Sequence, residues 1–294
     1  MSRIAVLFAG QGSQIVGMGR ALCERHAPAR ALFDRASKVL GFDLAAVCFD
    51  GPAERLNRTD VCQPALLVHA YAAAQAHSFD GHEIVAAAGL SLGEYTANLF
   101  AGALDFETAV DLVRKRGAWM QEACDATPSG MVAVLGFDLE KTRAAIAGID
   151  GVGVANVNGP GEIVISGANG PLGKASEACK AAGAKRCIPL KVAGAYHSQV
   201  MAPAQEKMRE ELAKAAFGAP KMPVVVNVTG RAVSDPAGLK SSLAEQICGS
   251  VLWDPCVRTL ASLGATRFIE FGPGKKLAGM VRKIVETAET ESFE

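Results

Sequence analysis

The chain has 294 residues, half of them hydrophobic, with 30 basic and 30 acidic side chains. Zero net charge argues against a general nucleic-acid binder, which needs a basic excess. The length and apolar content suit one large domain or two smaller ones. The eight cysteines are scattered, with no Cys-x-x-Cys and no histidine cluster to complete a zinc pattern. They read as free thiols in a reducing compartment, with no metal. With no basic leader and no apolar run of about 18 residues, a soluble cytoplasmic protein without membrane contact is expected.

Residues 4–8 form a short continuous apolar run, the pattern of a strand covered on both faces. Ala9-Gly-Gln-Gly-Ser-Gln14 follows as a glycine loop. Ile15 stands where a dinucleotide fingerprint needs glycine, and no Gly-Lys-Ser/Thr closes a phosphate loop, so a nucleotide cradle is not expected. A loop at the carboxyl end of a buried strand is nonetheless where an α/β protein places its site. Gln11 can offer a backbone or side-chain N–H there.

Helical spacing runs from about residue 17 to 40, and Pro52 opens a short helix. Another helix is expected from Gln63, with Pro64 in its first turn. It is apolar nearly all round and therefore buried. Residues 84–88 read as a strand leading into Gly89-Leu-Ser-Leu-Gly93 and a helix to about 101. Asp105 is a plausible N-cap for a long amphipathic helix reaching residue 122.

The pattern changes at Thr127-Pro-Ser-Gly130. Strands at 131–135, 152–156, 162–166 and 186–192 alternate with helices at 138–147 and 173–182. The order β-α-β-β-α-β is that of a ferredoxin-like unit. It reads as an insert, giving a large domain at 1–127 and 195–294 and a small α+β domain at 128–194. A helix is expected from 195 to 216, a strand at 224–228, helices at 239–247 and 255–263, and a last strand at 267–271. Gly272-Pro-Gly-Lys-Lys276 starts the final helix, and the acidic tail after 287 reads as loose. The fold class is α/β with a mostly parallel sheet.

Gly89-Leu-Ser-Leu-Gly93 suits a sharp strand-to-helix turn that raises Ser91 at the top of a sheet. Two backbone N–H groups near the helix start would face whatever the serine holds, which suits an oxyanion. A serine nucleophile needs a base. Of five histidines, only His197 stands at a site-like position, where the chain leaves the insert. Asp105, Asp111 and Asp125 are possible third members of a triad, but a backbone carbonyl can also hold the imidazole, and a dyad is favoured. Arg116 either ends a solvated helix or offers a guanidinium fork for a substrate carboxylate.

Five stretches carry a resemblance: Gly10-Gln-Gly-Ser-Gln14, Gly89-Leu-Ser-Leu-Gly-Glu-Tyr95, Arg116-Gly117, Gly194-Ala-Tyr-His-Ser198 and Glu270-Phe-Gly-Pro-Gly-Lys275. Over nearly its full length the chain resembles the malonyl-CoA:acyl carrier protein transacylases. The resemblance implies an α/β-hydrolase-like large domain with a ferredoxin-like small one. It implies Ser91 as acyl-carrying nucleophile, His197 as base, the Gln11 and Leu92 amides as oxyanion hole, and Arg116 on the malonyl carboxylate. It implies malonyl-CoA as substrate, acyl carrier protein as partner, no bound cofactor, and a monomer.

Two departures stand out. Leu90 occupies the position before the nucleophile, where the family most often has histidine. Leu252 matches a position where many members have glutamine, whose backbone carbonyl orients the histidine; the role is expected to pass to the Leu252 carbonyl. Bulky Tyr196, with Leu92, resembles the malonyl rather than the methylmalonyl pattern. The carrier protein is acidic in the family, so Lys185-Arg186, Lys275-Lys276 and Arg282-Lys283 are candidate docking pairs. The alternatives are an acyltransferase of a polyketide pathway and a serine esterase or thioesterase.

Overall fold

The computed structural model describes residues 2–294. In chain order the elements are β1 (Ser2–Phe8), α1 (Arg20–Arg25), α2 (Ala27–Leu40), α3 (Leu44–Asp50), α4 (Ala53–Asn57), α5 (Thr59–Ala76), β2 (His82–Gly89), α6 (Gly93–Phe100) and α7 (Phe106–Ala126). Then come β3 (Ser129–Leu135), α8 (Leu139–Ile146), β4 (Val152–Gly159), β5 (Glu162–Ala168), α9 (Asn169–Ala181) and β6 (Arg186–Pro189). The chain ends with α10 (Ala202–Lys214), β7 (Val224–Val225), β8 (Ala232–Val233), α11 (Pro236–Glu245), α12 (Trp253–Ser262), β9 (Arg267–Phe271), α13 (Lys276–Ile284) and β10 (Glu289–Phe293).

Two sheets result. The larger runs β10-β9-β1-β2-β7-β8, parallel except for the short β8. Its centre is β1, whose residues Ile4 to Phe8 are fully buried, as expected of a strand covered on both faces. The smaller sheet runs β4-β5-β3-β6 and is antiparallel throughout, with α8 and α9 on it, which is the ferredoxin-like arrangement. The smaller sheet is tied to the segment before α12, where Asn156 of β4 bridges to Val251 and Val157 N–H donates to the Val251 carbonyl at 2.9 Å.

Local chemistry explains where elements differ from the expected ones. The helical stretch at 17–40 is broken at His26, which is extended (φ −132°), because Pro28 opens a second helix. Asp43 accepts from Ala46 N–H and so caps α3, an element whose short apolar run gave no helical period. Helix α5 starts at Thr59, four residues before Gln63, so Pro64 lies inside it. The start of α5 packs on α7 at Gly117, where an added Cβ would lie 2.6 Å from the Thr59 carbonyl. Strand β7 covers only Val224 and Val225, since Val226 pairs across a turn with Arg231.

The acidic tail is not loose: β10 adds a parallel edge strand to β9. Phe293 stacks at 5.8 Å from Phe271 and lies 4.4 Å from the His77 ring. A single apolar anchor on a strand covered from one side reads as polar in sequence. The helix expected from 195 begins only at Ala202. Before it, Ser198 caps a single 3₁₀ turn, Gln199–Met201, and leaves His197 in a loop.

Candidate active site

Strand β2 delivers Ser91 at the carboxyl edge of the sheet, as the parallel topology requires. Ser91 and His197 are the only non-glycine residues with positive φ among those described, at 52° and 57°. Such strain is held only where the surroundings over-determine it. At Ser91 they do. A Cβ on Gly89 would lie 2.0 Å from the Gly93 carbonyl carbon, and one on Gly93 would lie 2.2 Å from the Phe8 carbonyl oxygen. Glycine on both sides is therefore a packing requirement of the turn.

The Ser91 hydroxyl oxygen lies 2.8 Å from His197 Nε2. His197 Nδ1 donates to the Gln246 carbonyl oxygen at 2.8 Å, which leaves Nε2 as the acceptor facing the serine. Burial, and then the Arg116 charge, lower the His197 pKa to about 4. The imidazole is therefore neutral and ready to accept a proton at neutral pH.

The Gln246 contact corrects the assignment of the orienting carbonyl to Leu252. Leu252 immediately precedes α12, and its N–H donates to Asn227 O at 2.8 Å. The glutamine lies six residues earlier, at the end of α11. None of the three aspartates joins the pair. Asp105 caps α7, Asp111 binds Arg114 and Lys115, and Asp125 accepts from Gln121.

Arg116 is not a solvated helix end; it is 1% exposed. Its Nη2 donates to the Ser91 hydroxyl at 3.0 Å and to Gln246 Oε1 at 2.9 Å, and its Nη1 to Gln63 Oε1 at 2.7 Å. Burial lowers its pKa from the usual arginine value, while Tyr95 and Glu94 pull it back. A guanidinium remains charged there at any working pH. It sits over the Tyr95 ring, 5.5 Å from the centroid.

The Leu92 amide at the start of α6 and the Gln11 amide in the glycine loop have no hydrogen-bond acceptor among the described residues. The Gly93 amide, by contrast, is spent on the Leu90 carbonyl at 2.9 Å. The second free donor beside the serine is thus in the β1 loop and not in the helix. Gly10 allows this approach, since a Cβ there would meet the Leu90 carbonyl oxygen at 2.4 Å.

A cavity of about 730 Å³ opens between the two sheets, with Gln11, Leu90, Ser91, Arg116, Tyr196 and His197 in its wall. Leu90 is 7% exposed and packs with Val251, Leu277 and Met280. An apolar surface thus stands beside the serine where a histidine would place a polar one. The Tyr196 hydroxyl is tied to Thr59 Oγ1 at 2.7 Å and receives Gln11 Nε2 at 3.2 Å. Its ring is thereby fixed in the wall. Lys276 lines the mouth, while Lys283 pairs with Glu162 and Arg282 with Thr290. No group of three or more possible metal ligands occurs among the described residues. None of their helices is long and apolar enough to cross a membrane.

Four site residues were not found from the sequence: Gln63, Glu94, Asn227 and Gln246. Asn227 Oδ1 accepts the Ser91 N–H at 2.7 Å, and its Nδ2 donates to Gly89 O at 2.9 Å. Its place just past β7, at the carboxyl edge of a buried strand, was the available signal. Gln63 and Gln246 are amides on otherwise unremarkable helices, and only the fold brings them to Arg116.

A parallel α/β sheet raising a strained serine beside a neutral histidine defines the class of serine-dependent acyl-transferring proteins. Residues 6–292 match the acyl transferase domain family. The malonyl CoA-acyl carrier protein transacylase of Bacillus subtilis is 42% identical over 99% of this chain and 93% of its own length. A solved acyl carrier protein S-malonyltransferase from Vibrio cholerae superposes with TM-score 0.95 at 41% identity, covering 99% of this chain and 96% of that one. A solved complex of a type II polyketide acyl carrier protein with its malonyl-transacylase gives TM-score 0.95 at 37% identity, with coverage of 99% and 96%. The chain belongs to the malonyl-CoA:acyl carrier protein transacylase family.

Proposed function

We propose that this protein moves malonyl from malonyl-CoA to the phosphopantetheine thiol of an acyl carrier protein through an ester on Ser91. The observation that carries the reading is the double contact of one hydroxyl: His197 Nε2 at 2.8 Å and Arg116 Nη2 at 3.0 Å. A base alone serves any acyl group. A guanidinium beside it suits an acyl group that ends in a carboxylate.

In the first half-reaction His197 Nε2 takes the Ser91 proton as the oxygen attacks the thioester carbonyl. The Gln11 and Leu92 amides receive the developing oxyanion, and losing one such donor costs about 2.7–4 kcal/mol. The carbon–sulfur bond breaks and His197 returns the proton to the CoA thiolate. The malonyl carboxylate now stands one methylene beyond the ester carbonyl, within reach of Arg116. In the second half-reaction the carrier thiol gives its proton to His197 and attacks the ester. The Ser91 oxygen leaves and is reprotonated. No metal or redox group has a part in these steps. Leu90, Met120, Met131 and Met280 keep an apolar wall around the ester, which disfavours water. Tyr196 and Leu90 set the room at the α-carbon, favouring malonyl over methylmalonyl.

We place the small domain between about 128 and 194, so that the cleft lies between domains. The carrier belongs to fatty-acid synthesis on this reading. The likeness to a polyketide carrier complex keeps a polyketide carrier as the second one. The test is to supply malonyl-CoA with holo-carrier protein and follow both products. Malonyl-carrier formed faster than free malonate supports transfer. Malonate release at the same rate with and without carrier supports an esterase.

A further inference from the structure

Beneath the serine turn lies a carboxylate that the reaction above does not use. Glu94, in the first turn of α6, is fully buried. Its Oε2 accepts from Asn227 N–H at 2.7 Å and from Gln246 Nε2 at 2.8 Å. Its Oε1 has no partner among the described residues.

Those two acceptances reach the whole site. Asn227 holds the Ser91 N–H and the Gly89 carbonyl. Gln246 Nε2 also donates to the Ser91 carbonyl at 3.0 Å, and Gln246 Oε1 accepts from Arg116. The Gln246 backbone carbonyl holds His197. An amide side chain can turn over and exchange its oxygen and nitrogen. The acceptors at Glu94 Oε2 and at the Ser91 carbonyl, 2.8 and 3.0 Å from Nε2, together oppose that exchange, because only Nε2 can face them. Gln246 Oε1 must then face Arg116.

We propose that Glu94 is a positioning residue, whose buried acceptor Oε2 acts with the Ser91 carbonyl to fix the orientation of Gln246 and so aims Arg116 at the serine-bound acyl group. The inference rests on the malonyl-transfer reading. It assigns the role to the oxygen and not to the charge. Burial pushes the Glu94 carboxyl up to about 7, so its charge varies near neutrality. Oε2 goes on accepting if Oε1 takes a proton.

The test is single-turnover acylation of Ser91 by malonyl-CoA and by acetyl-CoA, with the rates normalised to the fraction of folded protein and expressed as a ratio. Damage to the fold or the serine turn lowers both rates and leaves the ratio alone. Glu94→Met removes the acceptor at similar volume, and the malonyl-to-acetyl ratio is expected to fall at least tenfold. Glu94→Gln restores a carbonyl oxygen to Gln246 and is expected to keep the ratio within about threefold of wild type. In a Gln246→Ala background, Glu94→Met is expected to change the ratio no further. A wild-type ratio in folded Glu94→Met overturns the inference. So does loss of the ratio in folded Glu94→Gln, which remains informative if the methionine variant does not fold. A wild-type protein that forms no malonyl-serine overturns the malonyl-transfer reading, and this inference with it.

Discussion

Arg116 Nη2 lies 3.0 Å from the Ser91 hydroxyl oxygen, with its guanidinium carried on a helix, α7, that is otherwise concerned with packing. A buried cation at that distance has two consequences. It can stabilise negative charge on the attacking oxygen, and on the proposed reading it meets the carboxylate of a malonyl ester on Ser91.

Replacing Arg116 therefore separates acyl groups. Arg116→Ala is expected to lower kcat/KM for malonyl-CoA by roughly 10- to 100-fold more than for acetyl-CoA, the worth of a charge-assisted hydrogen bond. Arg116→Lys recovers little, since an ammonium cannot replace the planar fork held by Gln63 and Gln246. Equal losses on both substrates contradict the carboxylate role.

The orienting carbonyl belongs to Gln246, and the side chains at 246 and 252 should differ accordingly. Leu252→Ala is expected to leave acylation within about threefold of wild type. Gln246→Ala keeps its backbone carbonyl on His197 but frees Arg116 and the Ser91 carbonyl. It is expected to cost at least tenfold. The rate of malonyl-serine formation measures both, and the reverse ranking would restore Leu252.

Activity and stability should separate with pH. His197 is held at about 4 by burial and by Arg116, below the usual 6.5. Only the neutral form accepts a proton, so acylation should stay level through pH 6 and fall as pH drops toward about 4. His69, fully buried with Nδ1 unpartnered among the described residues, is likewise held at about 4. Between pH 6.5 and about 4 the unfolded chain binds protons that the fold refuses, so stability falls as pH falls. The contribution of His69 is on the order of 3 kcal/mol. Denaturant titrations of His69→Leu across this window should show a shallower loss. An unchanged slope contradicts the burial argument.

The glycines flanking the serine make a stability prediction. An alanine at 93 places Cβ 2.2 Å from the Phe8 carbonyl oxygen, with backbone on both sides of the clash. Gly93→Ala is expected to lower Tm by more than roughly 6 °C, equivalent to overpacking by about 3 kcal/mol. A wild-type Tm would mean that the turn has slack.

Much of this architecture was legible because it depends on period and punctuation. The buried strands before Ser91 and at the chain start are continuous apolar runs. The small sheet announces itself as four short strands with two helices at regular intervals. The histidine could be reached by elimination among five. What could not be read depends on contacts between distant segments. Gln63, Asn227 and Gln246 are separated from Arg116 or Ser91 by 53 to 136 residues and have no period or motif of their own. Glu94 lies in Gly89-Leu-Ser-Leu-Gly-Glu-Tyr95, but its burial beneath the serine turn is a property of the packed sheet. The same limit explains the Leu252 assignment. A shift of six residues, from Leu252 to Gln246 at the end of α11, leaves no trace in sequence. The C-terminal strand was missed because its polar side chains conceal one anchoring phenylalanine.

The central claim is that Ser91 carries malonyl, and intact-mass measurement after mixing with malonyl-CoA tests it most directly. The account predicts one malonyl adduct on the wild-type chain, mapped to the Ser91 peptide, absent from Ser91→Ala, and discharged when holo-carrier protein is added. An adduct of the same mass that persists in Ser91→Ala would contradict it.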